Sequence, residues 1–243
     1  MSTLPLFLVD ALPVGDELEL TGDEGRHAAR VKRLGPGERL LVGDGRGTVL
    51  ECVVADVLPE GLALNVESRR AEPEPSPRLV VVQALPKGER AELAVEVLTE
   101  LGVDEIVPWA ASRSIAQWHG PRGDKALAKW RRTAAEAAKQ SRRPRVPEVA
   151  PLARTADVAV RIESSTGLVL HEAGSEPLPA VPLPADGDVI VVVGPEGGIA
   201  DDELATFAAA GAESVRMGAP VLRTSTAGAA ALAVLSARLG RWA

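Results

Sequence analysis

A glycine-rich segment, Gly194-Pro195-Glu196-Gly197-Gly198-Ile199, directly follows the apolar run Val189–Val193 and precedes Asp201-Asp202-Glu203. The run has the pattern of a buried strand, and the acidic residues mark the start of a helix. Three glycines let the backbone turn sharply and approach a ligand, and a helix start exposes free amide donors. The segment therefore predicts either a ligand-binding loop or a plain strand-to-helix connection.

A second segment, Met217–Gly228, also lies between a predicted strand and a predicted helix. We expect a hydroxyl from Thr224, Ser225 or Thr226 to cap that helix. Arg223 stands at the helix start, where the helix dipole disfavours a cation unless an anion or a ligand is near. Arg223 is therefore a candidate ligand contact.

A third strand, Leu168–Leu170, ends in His171 and Glu172. His171 fits a structural role as well as a catalytic one. Because ligands of parallel sheets bind beyond the carboxyl ends of the strands, the three segments together predict one pocket.

Several classes of chemistry lack their signatures in this chain. GxxxxGK[ST], GxGxxG opening a helix, HExxH and GxSxG are absent from the sequence, and the three histidines are scattered. A single cysteine, Cys52, excludes an internal disulfide and a cysteine-based zinc site, and suits a reducing cytosol. The longest late uncharged run, Thr224–Ala237, is too short to cross a bilayer. We expect a cytoplasmic protein with no metal and no membrane partner.

The 243 residues predict two domains joined by a proline-rich linker. Residues 1–70 form a small β-rich domain, residues 71–77 form a stiff linker with three prolines, and residues 78–243 form an α/β domain. The predicted elements of the first domain are strands at 6–9, 17–20, 39–42, 48–57 and 62–68, a hairpin turn at 44–47 and a helix at 21–34.

Strand and helix patterns alternate after the linker, which predicts a mostly parallel sheet covered on both faces. The predicted strands are 78–85, 105–109, 167–171, 189–193 and 213–217; the predicted helices are 88–101, 124–140, 201–210 and 226–239; residues 177–184 are predicted to be a loop.

The charge of the chain is unevenly distributed. Its net charge is −7, yet the segment Arg122–Arg145 has nine basic residues against Asp124 and Glu136. A second basic cluster lies at Arg26–Arg33. Either cluster alone could be a solvated helix face, but two in an acidic protein favour a polyanion-binding surface.

Five ordered motifs resemble those of the RsmE family. They are Leu85–Arg90, Glu100–Val103, Glu136–Arg143, Gly194–Ile199 and Val221–Thr224. The resemblance covers nearly the whole chain. Members of this family belong to the SPOUT superfamily and methylate a uridine of 16S ribosomal RNA at N3.

The resemblance implies a PUA-like N-terminal β-barrel domain, a C-terminal trefoil knot in the α/β domain, and a homodimer formed through the knot. Sequence rules alone favour an unknotted sheet. The implied cofactor is S-adenosylmethionine, and the implied partner is 16S rRNA in the small ribosomal subunit. The implied cofactor contacts are Leu170, Gly194, Glu196, Gly198, Ile199, Met217, Gly218, Val221, Leu222 and Thr224.

The resemblance also suggests which residues do the chemistry. Arg223 would stabilise negative charge on the uracil oxygens or hold a phosphate, and Glu196 is a candidate base. Family members commonly have Arg-Thr-Glu-Thr where this chain has Arg223-Thr224-Ser225-Thr226. A base role for that missing carboxylate is excluded here, which leaves Glu196, Glu172 or water. The expected RNA-binding residues are Arg26, Arg30, Lys32, Arg33, Arg142, Arg143 and Arg145.

Two other interpretations remain open. One is a SPOUT ribose 2′-O-methyltransferase acting on tRNA or rRNA, although such enzymes usually have an Asn-centred motif where this chain has Val221–Ser225. The other is a noncatalytic RNA-binding protein that keeps the fold.

Overall fold

The computed structural model describes residues 4–88 and 90–242, which form two compact units. The first unit comprises Met1–Glu74 and Ala138–Val146, and the second comprises Pro75–Ala137 and Pro147–Ala243. The first unit thus includes Ala138–Val146, which lies within the predicted α/β domain at 78–243.

The first unit is built on a five-stranded sheet in the order β1-β3-β4-β5-β2. Its strands are β1 (Leu6–Leu8), β2 (Glu17–Leu20), β3 (Arg39–Gly43), β4 (Thr48–Leu58) and β5 (Gly61–Ala71), and a short helix α1 (Gly22–Arg26) continues as a π-helical turn (His27–Val31). All neighbouring strands are antiparallel except β1 and β3. The described residues show no ladder between β1 and β2, so the hydrogen-bonded order ends at these strands.

The predicted strands of this unit are all present, and the hairpin turn at 44–47 is confirmed. Asp44 Oδ1 accepts the amide protons of Arg46 (2.7 Å) and Thr48 (3.1 Å) and so closes the turn. Burial alone would raise the pKa of Asp44, but these hydrogen bonds outweigh it and hold the pKa below its usual value.

The single cysteine, Cys52, lies in the core of this unit. Burial raises the pKa of its thiol to about 11, so this cysteine is an inert core residue.

The second unit contains a seven-stranded sheet in the order β10-β12-β9-β11-β6-β7-β8, with every neighbouring pair parallel. The strands are β6 (Arg78–Ala84), β7 (Glu105–Trp109), β8 (Glu148–Val149), β9 (Thr166–Leu170), β10 (Glu176–Pro177), β11 (Asp188–Val193) and β12 (Glu213–Arg216). The helices are α2 (Arg90–Glu100), α3 (Gly120–Gln140), α4 (Thr155–Ile162), α5 (Asp201–Ala209) and α6 (Thr224–Arg238).

Both faces of this sheet are buried, as the continuous apolar strands predict. Alternate residues of β6 and β11 belong to two separate cores. One core packs α2, α3 and α6 against the sheet around Trp130, and the other packs α4 and α5 around Trp109 and Phe207. The described residues include no helix long and apolar enough to cross a membrane.

In this unit one predicted loop was wrong in part, and one helix was not predicted. Residues 177–184 were expected to be a loop, but they include the end of β10 and a 3₁₀ turn at Leu178–Ala180, whose Leu178 is buried. Helix α4 had no counterpart in the prediction. It begins where the Asp157 carboxylate accepts the amide proton of Arg154 (2.8 Å), a pairing that stabilises a helix start without a Ser or Thr cap.

Candidate functional site

The carboxyl ends of three neighbouring strands, β9, β11 and β12, form the walls of two adjoining cavities. The first cavity has a volume of about 560 Å³ and lies between segments 170–172, 193–199 and 221–225. The second, of about 540 Å³, lies between segments 170–172 and 216–222. Both volumes are typical of small-molecule sites, which span about 300–1,000 Å³. The three loops predicted to converge therefore do so.

All ten residues expected to contact a cofactor line these cavities. Met217 and Gly218 line only the second cavity, whereas Leu170, Val221 and Leu222 line both. The remaining five line the first cavity; they are Gly194, Glu196, Gly198, Ile199 and Thr224. The side chains of the last loop thus stand between the two spaces, so one extended or bent ligand could contact both.

The glycine loop, Gly194–Ile199, is shaped by close packing. A Cβ at Gly194 would lie 2.6 Å from Cγ1 of the buried Ile199, so only glycine fits there. Gly198 has a φ of +74° and donates its amide proton to the Pro195 carbonyl (2.9 Å), which closes the turn. The loop is therefore a tight turn, in which Gly197 and Gly198 line the first cavity without side chains.

The buried carboxylate of Glu203, which the sequence pattern marks only as part of a helix start, supports this loop. Glu203 is 4% exposed, and its Oε2 accepts the amide proton of Ala200 (3.1 Å) just after the glycine loop. Its Oε1 accepts from the Ser112 amide (2.9 Å) and the Thr155 hydroxyl (3.1 Å). One side chain thus joins the loop after β7, the start of α4 and the end of the glycine loop.

Arg113 extends the same support to the glycine loop itself. Its Nη1 donates to the carbonyl oxygens of Gly197 (3.5 Å) and Ile199 (3.4 Å). A Cβ at Gly197 would lie 3.2 Å from the Arg113 backbone oxygen, so the two segments are in close contact. Arg113 was missed because its partners lie more than 80 positions away in the sequence.

The last loop, Met217–Arg223, is exposed from Gly218 to Arg223. Helix α6 begins at Thr224 with Arg223 as its N-cap residue, and no side chain caps it. The expected hydroxyl cap was therefore wrong: Thr224 and Ser225 are buried, and the Thr226 hydroxyl donates to the Arg223 carbonyl. The loop is anchored where the buried Gln83 amide donates to the Thr224 carbonyl (3.3 Å).

Arg223 and Glu196, the expected catalytic residues, both line the first cavity. Arg223 is exposed, and within the described residues its guanidinium has no hydrogen-bond partner. Glu196 is exposed, and its Oε1 accepts the Lys87 amide proton (3.2 Å). His171 accepts the Ala173 amide proton at Nδ1 (3.2 Å), which leaves the proton of the neutral ring on Nε2.

The seven expected RNA-binding residues all belong to the first compact unit. Two of them are partly neutralised, because Arg26 and Arg30 both pair with Glu60 (3.4 and 3.2 Å). A hydrogen bond from Arg26 to Asp23 also raises the pKa of Arg26. Sequence clustering therefore overstated the free positive charge of the segment 26–33.

The other five differ in their freedom to meet a ligand. Arg145 donates through Nη2 to the Glu72 carbonyl (2.7 Å), and its Nε is buried, so its head group is held inside the unit. Arg143 is half-buried. Lys32, Arg33 and Arg142 are exposed, and Arg33 and Arg142 have positive φ angles of 56° and 57°.

The described residues contain no group of three or more His, Cys, Asp or Glu side chains placed to hold a metal ion. The ionisable groups at the first cavity are instead Arg90, His171, Glu172, Glu196 and Arg223. The site therefore offers cations, a carboxylate pair and an imidazole around a glycine cradle.

Comparison with known proteins is consistent with this architecture. A family model described as an RNA methyltransferase domain matches residues 72–236, and one described as an RNA methyltransferase PUA domain matches residues 20–66. Fold and site therefore define an RNA methyltransferase-type protein with an accessory PUA domain.

Comparison with individual relatives identifies the family within the class of RNA methyltransferases. The chain is 46% identical over 243 residues to ribosomal RNA small subunit methyltransferase E of Mycobacterium bovis, covering 98% of this chain and 93% of the relative. It is 27% identical to the protein of the same name from Bacillus subtilis, covering 89% and 88%. The chain belongs to the ribosomal RNA small subunit methyltransferase E family.

A solved structure agrees with this assignment. The crystal structure of ribosomal RNA small subunit methyltransferase E from Neisseria gonorrhoeae, bound to S-adenosyl methionine, is similar with a TM-score of 0.86 and 27% identity. The similarity covers 97% of this chain and 98% of that one.

Proposed function

We propose that this protein uses S-adenosylmethionine to methylate N3 of a uridine in 16S ribosomal RNA. The observation that carries the proposal is the pair of adjoining cavities at the ends of β9, β11 and β12, lined by all ten residues expected to hold the cofactor. Family membership supports the reaction, and a relative that binds S-adenosyl methionine with the same fold supports the cofactor.

The residues present fit this cofactor. The glycine loop gives the ligand close access to the backbone, since Gly194, Gly197 and Gly198 line the first cavity and have no side chains. Leu170, Val221 and Leu222 supply apolar contacts that both cavities share. Backbone groups of the segment 217–224 supply donors and acceptors for a base edge. We infer that these two loops hold the adenosine and methionine parts.

The cofactor supplies an electrophilic methyl group, so the protein's tasks are alignment and proton removal. The proton on uracil N3 must leave as the new N–C bond forms. Glu196 and Glu172 line the first cavity and are the side chains there that can accept it as carboxylates. Arg223, free at the mouth, stabilises the charge that develops on the neighbouring uracil oxygens.

The base is assigned to Glu196 or Glu172 because Ser225 stands where the resemblance predicts a carboxylate. It is 6% exposed and lies one residue after Thr224 in the first turn of α6, where the resemblance predicts a carboxylate. A serine hydroxyl cannot act as a carboxylate base at neutral pH. Proton removal therefore depends on the exposed carboxylates or on water.

We also propose a trefoil knot and a homodimer that forms through it. Strand β12 lies on the opposite side of β9 from β11, so the chain must return past β9 after completing β11. The exposed apolar side chains of Leu93 and Val221 supply surface that a second copy would cover.

The proposed substrate, 16S rRNA, places the protein in the cytoplasm. The first compact unit, which contains the predicted domain 1–70, would bind RNA, with Lys32, Arg33, Arg142 and Arg143 as its phosphate contacts.

The decisive experiment uses labelled S-adenosylmethionine with naked 16S rRNA and with small subunits from cells that lack the activity. We expect label on uridine N3, mapped by mass spectrometry. Label on a ribose 2′-oxygen would instead identify a 2′-O-methyltransferase, and no binding of the cofactor in calorimetry would identify a noncatalytic RNA-binding protein.

A paired variant tests the role of Arg223. Arg223→Ala should lower kcat/KM by about 100-fold, while Arg223→Lys should keep part of the rate because it retains the charge but not the planar fork. Cofactor affinity should stay within about twofold in both variants. A normal rate in Arg223→Ala would remove this residue from the reaction.

A further inference from the structure

Helix α3 has a linear row of cations on its exposed face. Arg122, Lys125, Lys129 and Arg132 stand at positions i, i+3, i+7 and i+10, a spacing that places side chains on one face of a helix. All four are exposed and belong to the second compact unit. We call these four residues the α3 basic row.

The opposite face of α3 explains why this row faces solvent. Trp130 and Ala134 are buried in the core that covers the sheet, Ala137 is also buried, and Trp130 makes an edge-on contact with Trp118 at 5.0 Å between ring centroids. The helix is thereby fixed in rotation. The basic row, on the far side, spans about 15 Å at 1.5 Å per residue.

Most of the row's charge is not neutralised by the residues that the structure describes. Lys129 pairs with Glu92 of α2 (Nζ–Oε1, 2.7 Å). Arg122, Lys125 and Arg132 have no ion pair or hydrogen bond from their side chains among the described residues. Asp124 is the acidic residue within the span of the row, in a chain whose net charge is −7.

The Lys129–Glu92 pair also connects the α3 basic row to α2, the helix whose first residue lines the first cavity. Glu92 is in the first turn of α2, two residues from Arg90, and Arg90 lines the first cavity. Lys87, whose amide contacts Glu196, is exposed just before α2. The start of α2 thus contacts the α3 basic row through Glu92 and reaches the first cavity through Arg90.

We propose that the α3 basic row binds the phosphate backbone of the substrate RNA beside the target nucleotide. This rests on the proposed function and adds to it a second RNA surface, on the methyltransferase unit itself. Few aromatic side chains are available in the chain, at 2% of residues, so backbone charge rather than base stacking should dominate the contact. A row of point charges on a straight helix suits a polyanion rather than an apolar protein surface.

The test replaces the three unpaired cations together, as Arg122→Gln, Lys125→Gln and Arg132→Gln, since glutamine keeps helix propensity. Binding of naked 16S rRNA is measured over a range of salt concentrations. Each lost phosphate contact should reduce the slope of log affinity against log salt by about 0.7, so the triple variant should lose about 2. Its affinity at low salt should fall by about tenfold or more, with unchanged S-adenosylmethionine affinity.

Arg131→Gln is the matched control. Arg131 is on the same helix and has the same charge, but its Nε donates to the Val149 carbonyl (3.1 Å) on another side of α3. This variant should keep the wild-type salt slope.

Three results would overturn the inference. The first is an unchanged salt slope in the triple variant while the wild type binds RNA. The second is normal binding of naked RNA but weaker binding of small subunits, which would assign the row to a ribosomal protein. Failure of the wild type itself to bind RNA would instead defeat the proposed function, and with it this inference.

Discussion

The two loops that enclose the site are built in opposite ways. The glycine loop, Gly194–Ile199, ends in the buried Ile199, is followed by the buried Ala200, and is held from outside by Glu203 and Arg113. The last loop, Met217–Arg223, is exposed from Gly218 to Arg223, and its anchor is the hydrogen bond from Gln83 to the Thr224 carbonyl. One loop is held by several contacts from buried or neighbouring side chains, and the other is exposed along most of its length with one side-chain anchor at its end.

This contrast suggests that the two loops have different roles in ligand binding. A segment with many buried contacts keeps its shape without ligand, whereas one with few buried contacts opens at low free-energy cost. A preformed loop loses little entropy on binding, and a loosely held loop must be ordered by the ligand. We therefore expect the glycine loop to set the position of the cofactor and the last loop to close on it.

The largest effect should come from removing the support of the glycine loop. Glu203→Ala leaves the amides of Ser112 and Ala200 and the hydroxyl of Thr155 without their acceptor. Because unsatisfied buried donors cost about 1–3 kcal/mol each and water can replace part of the loss, we expect the free energy of unfolding to fall by about 2–4 kcal/mol. Cofactor affinity should fall at least tenfold, measured by calorimetry below the unfolding temperature.

Asp202→Ala is the control for that experiment. Asp202 lies in the same first turn of α5 and carries the same charge, but it is exposed. It should cost about 0.5–1 kcal/mol, the contribution of an acidic residue near a helix start. Equal effects of the two variants on cofactor affinity would show that helix charge, rather than the support of the loop, matters.

Glu203 also shows how far sequence reasoning could go. The run Asp201-Asp202-Glu203 correctly predicts the start of α5, since acidic residues are favoured there. The same pattern cannot tell which carboxylate is buried, because the partners Ser112 and Thr155 lie 91 and 48 positions away. Tertiary packing, which local pattern does not encode, selects Glu203.

Contacts between residues that are far apart in the sequence also explain the other differences between the sequence-based predictions and the structure. Arg26 and Arg30 look like free cations in sequence, but the turn between β4 and β5 brings Glu60 to both. The hydroxyls after Arg223 look like helix caps, but packing buries Thr224 and Ser225 inside α6. In contrast, the strand ends that line the cavities were predictable, because buried parallel strands have a strong local signature.

A pair of glycine variants tests the contrast between the loops directly. Gly194→Ala forces a Cβ to 2.6 Å from the buried Ile199 side chain, so the loop must shift and global stability should fall by about 1–3 kcal/mol. In Gly218→Ala the nearest atom, Cδ of Pro220, would be 3.8 Å away, and the cost is backbone strain at a φ of +130°.

We expect the two variants to differ in what they lose. Gly218→Ala should leave the melting temperature within about 2 °C of wild type, since an exposed loop can rearrange locally, but should weaken cofactor binding about three- to tenfold. A large drop in melting temperature for Gly218→Ala, or none for Gly194→Ala, would contradict the contrast.

The smallest effect is a difference in amide exchange between the loops. On addition of S-adenosylmethionine, the amides of residues 217–223 should gain more protection than those of residues 194–199, because the glycine loop is already ordered by Glu203 and Arg113. Hydrogen exchange with mass spectrometry measures both segments in one experiment, with the core strand β6 as an internal reference. Equal gains in the two loops would mean that the cofactor orders both, and that the buried contacts of the glycine loop stabilise the fold without preforming the site.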